Sequence, residues 1–414
     1  MRDLILGRAP KDYDIATDAV PDQVLAMFKG AVAVGKSFGV VRVPLGADWY
    51  EVATFRRDHD YIDGRHPSAV TYSDPATDAS RRDFTINALF LDPLRGVLID
   101  HVAGRTDIDR RVVRTVGTAG DRFREDHLRM LRAVRFAATL DFKLDDATAL
   151  AIRATAAAIV GVSAERIRDE LTRMWLEAVR AGEALELLDT VGLLAVVLPE
   201  VAAMKGVEQP PEYHPEGDVF RHTVIMMNAL HTDDARLAWS VLLHDVGKPP
   251  TAKLIDGRFR FERHANVGAD MVRGILGRLR FSNDDTDAIA FMVGNHMRFV
   301  NTHEMRRATL RRLVGAPTFT EELELHRLDC QASHGGMENY DYLIAFREQM
   351  RAEPVLPAAW VTGHDVMGLG VREGPQVGAW CKKAYEVQLE GSVADRAALL
   401  EWLRGEMQKE GTQG

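Results

Sequence analysis

The hydrophobic pattern of this chain changes its period near residue 122, and that change restricts the folds open to it. Upstream, two alternating runs at 38–44 and 49–55 flank the turn-like residues 45–48, which predicts a β-hairpin with a four-residue loop. Downstream, apolar residues recur at three- and four-residue spacing, which is typical of amphipathic helices. We therefore expect an α+β fold, with a mixed head followed by a long all-α body.

Turn and breaker residues divide the chain further. The polar segment 56–80, which carries Gly64 and Pro67, predicts a long loop, and Pro210 with Pro211 marks the entry to a new helical block. Helices are expected over 145–160, 165–178 and 395–408, with a helical block over 220–334. The predicted domains are a head (1–121), a helical neck (122–200), a body (201–340) and a helical tail (341–414).

Composition excludes several classes of protein. The 414 residues are 46% hydrophobic and 27% charged, which is enough for several globular cores. A formal net charge of -9 excludes a globally basic nucleic-acid coat but leaves room for a local basic groove. Two cysteines exclude a disulfide scaffold, and no uncharged stretch reaches the roughly 18 residues that span a bilayer. We expect a cytoplasmic protein with no membrane contact.

Two aspartates, Asp12 and Asp14, alternate near the N-terminus. On an extended strand both would point to one side, and paired carboxylates of this kind suit Mg²⁺. In a two-metal arrangement they would position a hydroxyl and a leaving pyrophosphate for in-line transfer. Glu51, on the predicted hairpin, is a third candidate carboxylate. The alternatives are a solvated strand end and, for Glu51, an ordinary surface residue.

A locally basic segment follows these carboxylates. Residues 81–135 contain 12 Lys and Arg against 8 Asp and Glu, within a chain whose net charge is negative. Such a local positive field is what a triphosphate site requires, because Arg forks and metal together bind phosphates. Asp126 and Arg129 begin a polar ridge that continues through Arg132 and Arg135 on one predicted helix. The alternatives are solvated arginines and weak intrahelical ion pairs.

Taken together, these motifs resemble the class II tRNA nucleotidyltransferase family, which includes CCA-adding enzymes and bacterial poly(A) polymerases. The resemblance covers roughly the first 200 residues in the order of the family and implies a DNA polymerase β-like head. The matching motifs are Arg2 to Arg8 with Lys11 to Thr17, Arg81 to Leu89, Glu125 to Phe136, and Ser163 to Ile167.

The resemblance implies template-independent addition of C and A to tRNA 3′ ends from CTP and ATP. It implies that Asp12 and Asp14 hold the catalytic Mg²⁺. The implied nucleotide-binding residues are Arg2, Arg81, Arg82, Asp83 and Asn87 around the triphosphate, Asp126 and Arg129 at the edge of the base, and Arg132 and Arg135 in support of that helix. An Arg supplies paired donors and an Asp supplies acceptors, so together they complement C or A and mismatch G or U.

Two details qualify this resemblance. Tyr61, Asp63 and Arg65 match the flexible loop of the family, and that loop favours an enzyme able to add A. An A-adding enzyme or a poly(A) polymerase therefore stays open as an alternative. In the family a helix and a Gly-Gly strand precede the Arg-Asp pair matched here by Arg2 and Asp3. We accordingly expect the head to lack its first helix and strand, and the start of the chain to be mis-assigned.

The predicted body carries histidines and aspartates with metal-ligand spacing. They resemble the HD phosphohydrolase superfamily, which implies a divalent transition metal and phosphodiesterase or phosphatase activity on RNA ends. The matching ligands are His222, His244, Asp245 and Asp329, with His264 and His296 at the positions used where two metals bind. Lys248 would stabilise an anion there. The residues alone leave open that these are ordinary core or surface histidines.

The tail resembles the C-terminal region of the same nucleotidyltransferases through residues 361–370 and Gly374-Pro375. That resemblance implies a grip on tRNA far from the acceptor end, near the elbow, through phosphate contacts. A plain packing or dimerisation helix is the alternative. An alternative function for the whole chain, from a different class of enzyme, is that of an HD phosphohydrolase whose head binds RNA without catalysis.

Overall fold

A computed structural model describes residues 1–10, 12–35, 39–59, 69–352 and 354–411. The head opens with a short helix and a four-stranded sheet in the order β1-β4-β3-β2, in which β1 runs parallel to β4. Its core consists of Val24, Val41, Val43 and Val52. These first elements are α1 (Arg2–Ile5), β1 (Asp14–Thr17), α2 (Pro21–Met27), β2 (Val32–Gly35), β3 (Val40–Leu45) and β4 (Asp48–Thr54).

The predicted hairpin is confirmed as β3 and β4, but its turn is shorter than expected. Leu45 pairs with Asp48 in the antiparallel register, so only two residues form the turn rather than four. Gly46, the first of them, has φ of +66°, a left-handed conformation that glycine adopts without steric cost.

The rest of the head is also more regular than predicted. Residues 56–58 and 70–72 pair as strands, and a helix follows, so the prediction of one long loop over 56–80 is wrong at both ends. The middle of that loop, with Tyr61, Asp63 and Arg65, lies outside the described residues. The remaining head elements are β5 (Arg56–Asp58), β6 (Val70–Tyr72), α3 (Pro75–Ser80), β7 (Leu89–Asp92), β8 (Val97–Asp100), α4 (Gly104–Arg110), β9 (Val112–Val113) and α5 (Ala119–Glu125).

The neck is helical, as predicted, and one of its helices begins at a polar side-chain cap. Asp145, whose side chain accepts a hydrogen bond from the Thr148 N–H, caps the helix predicted over 145–160, which ends in a 3-10 turn at Ala156–Gly161. The neck elements are α6 (Leu128–Leu140), β10 (Lys143–Leu144), α7 (Asp146–Thr155), α8 (Ala164–Glu177), α9 (Ala181–Thr190), α10 (Leu194–Val197) and α11 (Pro199–Ala202).

The body is helical except for one antiparallel hairpin, β11 with β12, which the sequence reading missed. Its elements are α12 (Val219–Ala229), α13 (Ala235–Leu243), α14 (Lys248–Thr251), β11 (Lys253–Ile255), β12 (Arg258–Arg260), α15 (His264–Arg278), α16 (Asn283–Asn295), α17 (Arg307–Val314) and α18 (Phe319–Ala332), with 3-10 turns at His296–Phe299 and Thr302–Glu304. The elements after the body are α19 (Glu338–Gln349), α20 (Gly363–Gly368), α21 (Pro375–Glu390) and α22 (Arg396–Gly411), with a 3-10 turn at Met350–Ala352.

One buried apolar cluster joins the second half of the head, the neck and the body, from Phe84 to Ala332. A second cluster runs from Phe299 to Met350, and a third, which includes Val361 and Leu403, holds the tail helices together. The described part of the chain contains no helix long and apolar enough to cross a membrane.

Candidate functional site

The head carboxylates lie at the edge of the four-stranded sheet. Asp14 is the register partner of Glu51 on the adjacent parallel strand, so their side chains leave the same face of the sheet. Asp12 lies just before β1 rather than on it, which corrects the prediction that both aspartates share one strand. All three side chains are exposed. Among the described residues their oxygens are not clustered within 4.8 Å of one another.

Four of the predicted nucleotide-binding residues form one hydrogen-bonded network between head and neck. Arg2 Nη1 donates to Asn87 Oδ1 at 2.8 Å, and Asn87 Nδ2 donates to Asp83 Oδ1 at 3.1 Å. Arg132, on α6 of the neck, donates from Nη2 to Asp83 Oδ2 at 2.7 Å. Burial alone would raise the pKa of Asp83, but the Arg132 guanidinium outweighs it and holds that pKa below its ordinary value.

Arg81 and Arg82 are anchored rather than solvated. Both pair with Asp78, at 2.6 Å and 3.2 Å, and that carboxylate is 3% exposed. Arg82 also donates from Nη1 to the carbonyl oxygen of Asn87 at 3.2 Å, and its guanidinium lies 4.9 Å from the centre of the Phe90 ring. These contacts hold each guanidinium in one place.

The side chains of Asp126 and Arg129 pair with different neighbours. Asp126 precedes α6 and its Oδ1 accepts the Leu128 N–H at 3.0 Å, so the prediction that it shares the helix with Arg129 is wrong. Its Oδ2 accepts from Arg166 Nη2 on α8 at 2.6 Å. Arg129 donates to Glu125 Oε2 at 2.5 Å.

Arg132 and Arg135 tie α6 to α8 through one shared acid. Glu170 accepts from Arg135 Nε at 2.6 Å and from Arg132 Nη1 at 3.4 Å. The guanidinium groups of Arg2, Arg132 and Arg135 lie 5.0, 5.2 and 4.3 Å from the centre of the Phe136 ring. This packing fixes the helix that carries Arg129 against the rest of the neck.

In the body, four histidines point the same ring nitrogen toward a common centre. The Nδ1 atoms of three of them face backbone carbonyls, which fixes Nδ1 as the donor: His244 to Val241 at 2.9 Å, His264 to Phe261 at 2.9 Å and His296 to Val293 at 2.7 Å. His222 Nδ1 faces Glu216 Oε1 at 2.6 Å. Each ring therefore presents its Nε2 lone pair inward, as in metal-ligating histidines.

The inward nitrogens converge on carboxylates and on each other. His222 Nε2 lies 3.1 Å from Asp329 Oδ1, and His244 Nε2 lies 3.1 Å from Asp245 Oδ2. His264 Nε2 and His296 Nε2 are 3.2 Å apart. Two sets of ligand atoms, each within 4.8 Å, share Asp245: one with His222 and His244, the other with His264 and His296.

This donor set fits a divalent metal. The Nε2 atoms of His222 and His244 and both carboxylate oxygens of Asp245 are buried and have no hydrogen-bond partner. Burying such groups is costly unless a metal or a charge satisfies them. Imidazole with carboxylate suits first-row transition metals. Because Asp245 belongs to both sets of ligand atoms, each set would hold a divalent ion with Asp245 among its ligands.

The electrostatics of the centre follow from burial and from its acids. Burial lowers the pKa of His296 to about 4 and also lowers that of His264. His222 is equally buried, yet the neighbouring carboxylates of Asp329 and Glu216 raise its pKa to about 9. Lys248 Nζ lies 2.7 Å from Asp245 Oδ2, which places the predicted cation beside the centre.

The sequence did not lead us to predict two residues of the centre, His214 and Glu216. Glu216 accepts from His222, as described, and also lies 2.8 Å from Nδ1 of His214. These three residues form a third group whose ligand atoms lie within 4.8 Å. Both missed residues belong to the proline-rich segment 210–216, which the sequence reading used only as a domain marker. Their spacing ahead of His222 was the available signal.

Three parts of the chain match described protein families. Residues 1–114 match the Poly A polymerase head domain. Residues 141–205 match a probable RNA and SrmB-binding site of polymerase A, and residues 217–330 match the HD domain. The HD match contains all six predicted body ligands.

Curated relatives match over different lengths. The chain is 45% identical over 204 residues to the CCA-adding enzyme of Geobacillus kaustophilus, a match that covers 49% of this chain and 50% of that protein. It is 33% identical to the A-adding tRNA nucleotidyltransferase of Deinococcus radiodurans, covering 95% of this chain and 91% of that protein. It is 34% identical to the CC-adding tRNA nucleotidyltransferase of Thermus thermophilus, covering 100% and 94%.

Solved structures share the architecture. The CCA-adding enzyme of Bacillus stearothermophilus in complex with CTP matches with a TM-score of 0.74 and 26% identity, covering 100% of this chain and 93% of that chain. The Thermotoga maritima CCA-adding enzyme complexed with tRNA matches with a TM-score of 0.63 and 18% identity, covering 98% and 89%, which shows the fold alone.

Proposed function

Because the chain belongs to the family of tRNA nucleotidyltransferases, we propose that it adds C and A nucleotides to tRNA 3′ ends, from CTP and ATP and without a template. One observation carries the proposal. Residues from separate sequence motifs, namely Arg2, Asp83 with Asn87, and Arg132, join in one network of direct hydrogen bonds at the junction of head and neck. A nucleotide at this junction would contact both the triphosphate-binding arginines and the helix proposed to select the base.

In this proposal the head carboxylates hold magnesium. Asp12, Asp14 and Glu51 offer hard, exposed oxygen ligands at one edge of the sheet, which is the donor type that Mg²⁺ prefers. When bound there, the ion supplies positive charge that stabilises the phosphate oxygens during in-line transfer. Arg81 and Arg82, fixed by Asp78, hold the triphosphate in line with the RNA 3′ hydroxyl.

Protein side chains take the place of a template base. Asp126 offers acceptors and Arg129 offers paired donors, a combination that complements C and A and leaves G and U with mismatched groups. Arg132 and Arg135 keep the helix of Arg129 in place through Glu170. We also propose the four-part division into head, neck, body and tail, with the tail contacting the tRNA elbow in the cytoplasm.

The test is incorporation of nucleotides into two tRNA transcripts, one that lacks CCA and one that already ends in CC. In the presence of Mg²⁺ we expect labelled CTP and ATP to be added to the transcript that lacks CCA, and ATP to be added to the transcript that ends in CC. Incorporation of ATP only, onto tRNA already ending in CC, would assign the A-adding alternative instead, and long A tails would assign the poly(A) alternative. No incorporation on any transcript would contradict the whole proposal.

A second function is favoured by the body. The converging, unsatisfied Nε2 atoms and the shared Asp245 support a metal-dependent phosphohydrolase acting on phosphates at RNA ends. A bound transition metal would activate water toward the phosphate ester. We propose that His222, His244, Asp245 and Asp329 hold one ion and that His264 and His296 complete a second site. Metal content of the purified protein, and release of phosphate from p-nitrophenyl phosphate that is lost in Asp245→Asn, test it.

A further inference from the structure

A hairpin that carries three cations lies beside the body centre. Strands β11 and β12 pair antiparallel, with Lys253 opposite Arg260 and Ile255 opposite Arg258. Register partners share a face, so these three cations lie on one face of the hairpin. Lys253 and Arg260 are exposed, and neither forms an ion pair within the residues that the structure describes.

Both ends of the hairpin are anchored on the centre. Lys248, five residues before β11, lies 2.7 Å from the Asp245 carboxylate. At the other end, the residue after β12 is Phe261, whose carbonyl accepts from His264 Nδ1 at 2.9 Å. Lys248 Nζ lies 5.5 Å from the centre of the Phe261 ring. The hairpin is therefore fixed beside the metal ligands.

The hairpin is also tied to the segment that carries His214 and Glu216. Arg258 Nη2 lies 3.1 Å from Glu212 Oε1, an exposed pair that brings the two segments together. The neighbouring Tyr213 side chain is 62% exposed. An exposed aromatic residue next to Glu212, together with the exposed cations of the hairpin, is the composition of surfaces that bind single-stranded nucleic acid, because the ring stacks on a base while the cations pair with phosphates.

We propose that this surface, made of Lys253, Arg258, Arg260 and Tyr213, binds the single-stranded 3′ end of an RNA and delivers its terminal phosphate to the body centre. The proposal rests on the phosphohydrolase function proposed above for that centre. An acidic peptide would pair with the cations, but it would not stack on the aromatic ring and would bring no phosphate ester to the body centre.

The first experiment compares two substrates of the metal-loaded protein, an RNA heptamer ending in a 3′-phosphate and p-nitrophenyl phosphate. In the double variant Lys253→Gln/Arg260→Gln we expect the KM for the RNA to rise about tenfold, with kcat retained. The slope of log KM against the logarithm of the salt concentration should fall by about 1.4, because each lost phosphate contact removes about 0.7 from that slope. Hydrolysis of p-nitrophenyl phosphate should be unchanged, because that substrate is too small to reach the hairpin.

The matched control is Arg95→Gln, which removes an exposed cation near the turn of a hairpin in the head, where the side chain is 82% exposed. It should leave the KM for the RNA unchanged. An unchanged KM in the double variant, or equal inhibition of RNA hydrolysis by polyglutamate and by unreactive RNA, would overturn the RNA-binding surface.

A second readout does not depend on hydrolysis. The same heptamer with 4-thiouridine next to its 3′ end is photo-crosslinked to the full chain, and the modified peptides are identified by mass spectrometry. We expect crosslinks in 210–216 or 253–263, and their absence overturns the surface. If the wild-type protein hydrolyses neither substrate, the phosphohydrolase proposal fails, while these crosslinks still decide whether RNA lies on the hairpin.

Discussion

Asp14 and Glu51 are register partners on parallel strands, which brings an acid from the first strand beside an acid from the predicted hairpin. Because of this pairing we propose that Glu51 belongs to the magnesium site rather than being an ordinary surface residue. We expect Asp14→Asn to reduce nucleotide incorporation by on the order of 10³-fold, because loss of metal stabilisation costs several kcal/mol. Glu51→Gln should reduce it by at least tenfold and raise the Mg²⁺ concentration needed for half-maximal rate. A Glu51→Gln protein with wild-type magnesium dependence would remove Glu51 from the site.

A second prediction concerns base selection. Asp126→Ala removes the acceptors proposed to face the incoming base, and we expect the preference for CTP and ATP over GTP and UTP to fall by at least about tenfold. The ratios of kcat/KM for the four nucleotides measure this. Arg124→Ala is the matched control, because that side chain is 73% exposed on the preceding helix. Equal losses for all four nucleotides would indicate a structural role for Asp126 instead.

A third prediction tests the ion pair between Asp83 and Arg132. Arg132→Met leaves a carboxylate that is 12% exposed without its cation, and we expect the free energy of unfolding at pH 7 to fall by about 3 kcal/mol. The folded-state pKa of Asp83 is depressed, so its contribution exists above the unfolded pKa and is lost as pH falls through the folded pKa. Urea denaturation should therefore show the difference between wild type and variant shrinking below about pH 4.

The double variant Asp83→Asn/Arg132→Met provides the internal check. The amide that Asp83→Asn introduces carries no buried charge, so the double variant should regain part of the stability that Arg132→Met loses. Additive losses across the cycle would mean that the pair contributes nothing beyond its separate residues.

A fourth prediction concerns Glu216, which orients His222. Glu216→Gln weakens the acceptor for His222 Nδ1, and we expect the affinity of the body for Co²⁺ or Ni²⁺ to fall by about 10- to 100-fold. Isothermal titration calorimetry measures this without any assay of activity. Glu186→Gln, on the surface of the neck, is the control. Nucleotide incorporation should be the same in both variants, and unchanged affinity in Glu216→Gln would contradict the orienting role.

A fifth prediction uses a close approach of two backbones. A Cβ added to Gly247 would lie 2.1 Å from the His264 carbonyl oxygen and 2.6 Å from the Gly268 nitrogen. Gly247→Ala must therefore displace α15 with its ligand His264, and we expect lost metal binding and a lower melting temperature. Gly274→Ala, on the same helix, meets no atom within 4 Å and should stabilise by roughly 1 kcal/mol. Equal melting temperatures for the two variants would contradict this packing argument.

Local rules predicted much of the fold. Alternation of apolar residues predicted the hairpin of β3 and β4, and helical spacing of apolar residues predicted the helix that begins after Asp145. The same rules missed β11 and β12, because their strands are three residues long and lie within a helical stretch. They also placed Asp126 on α6, because the periodicity of charges does not reveal that its carboxylate caps the helix from outside.

The candidate sites divide in the same way. The order of residues along the chain was enough to identify the acids, arginines and histidines that carry chemistry, because each motif requires particular residue types at particular spacings. Partners distant in sequence came only from tertiary structure, as with Glu51 beside Asp14 and Arg166 on Asp126. Strand pairing and helix packing decide such neighbours, since they bring together backbones that no local rule relates. The sequence therefore determines which reactive side chains are present. The partner, the orientation and the pKa of each side chain are decided only when the chain folds.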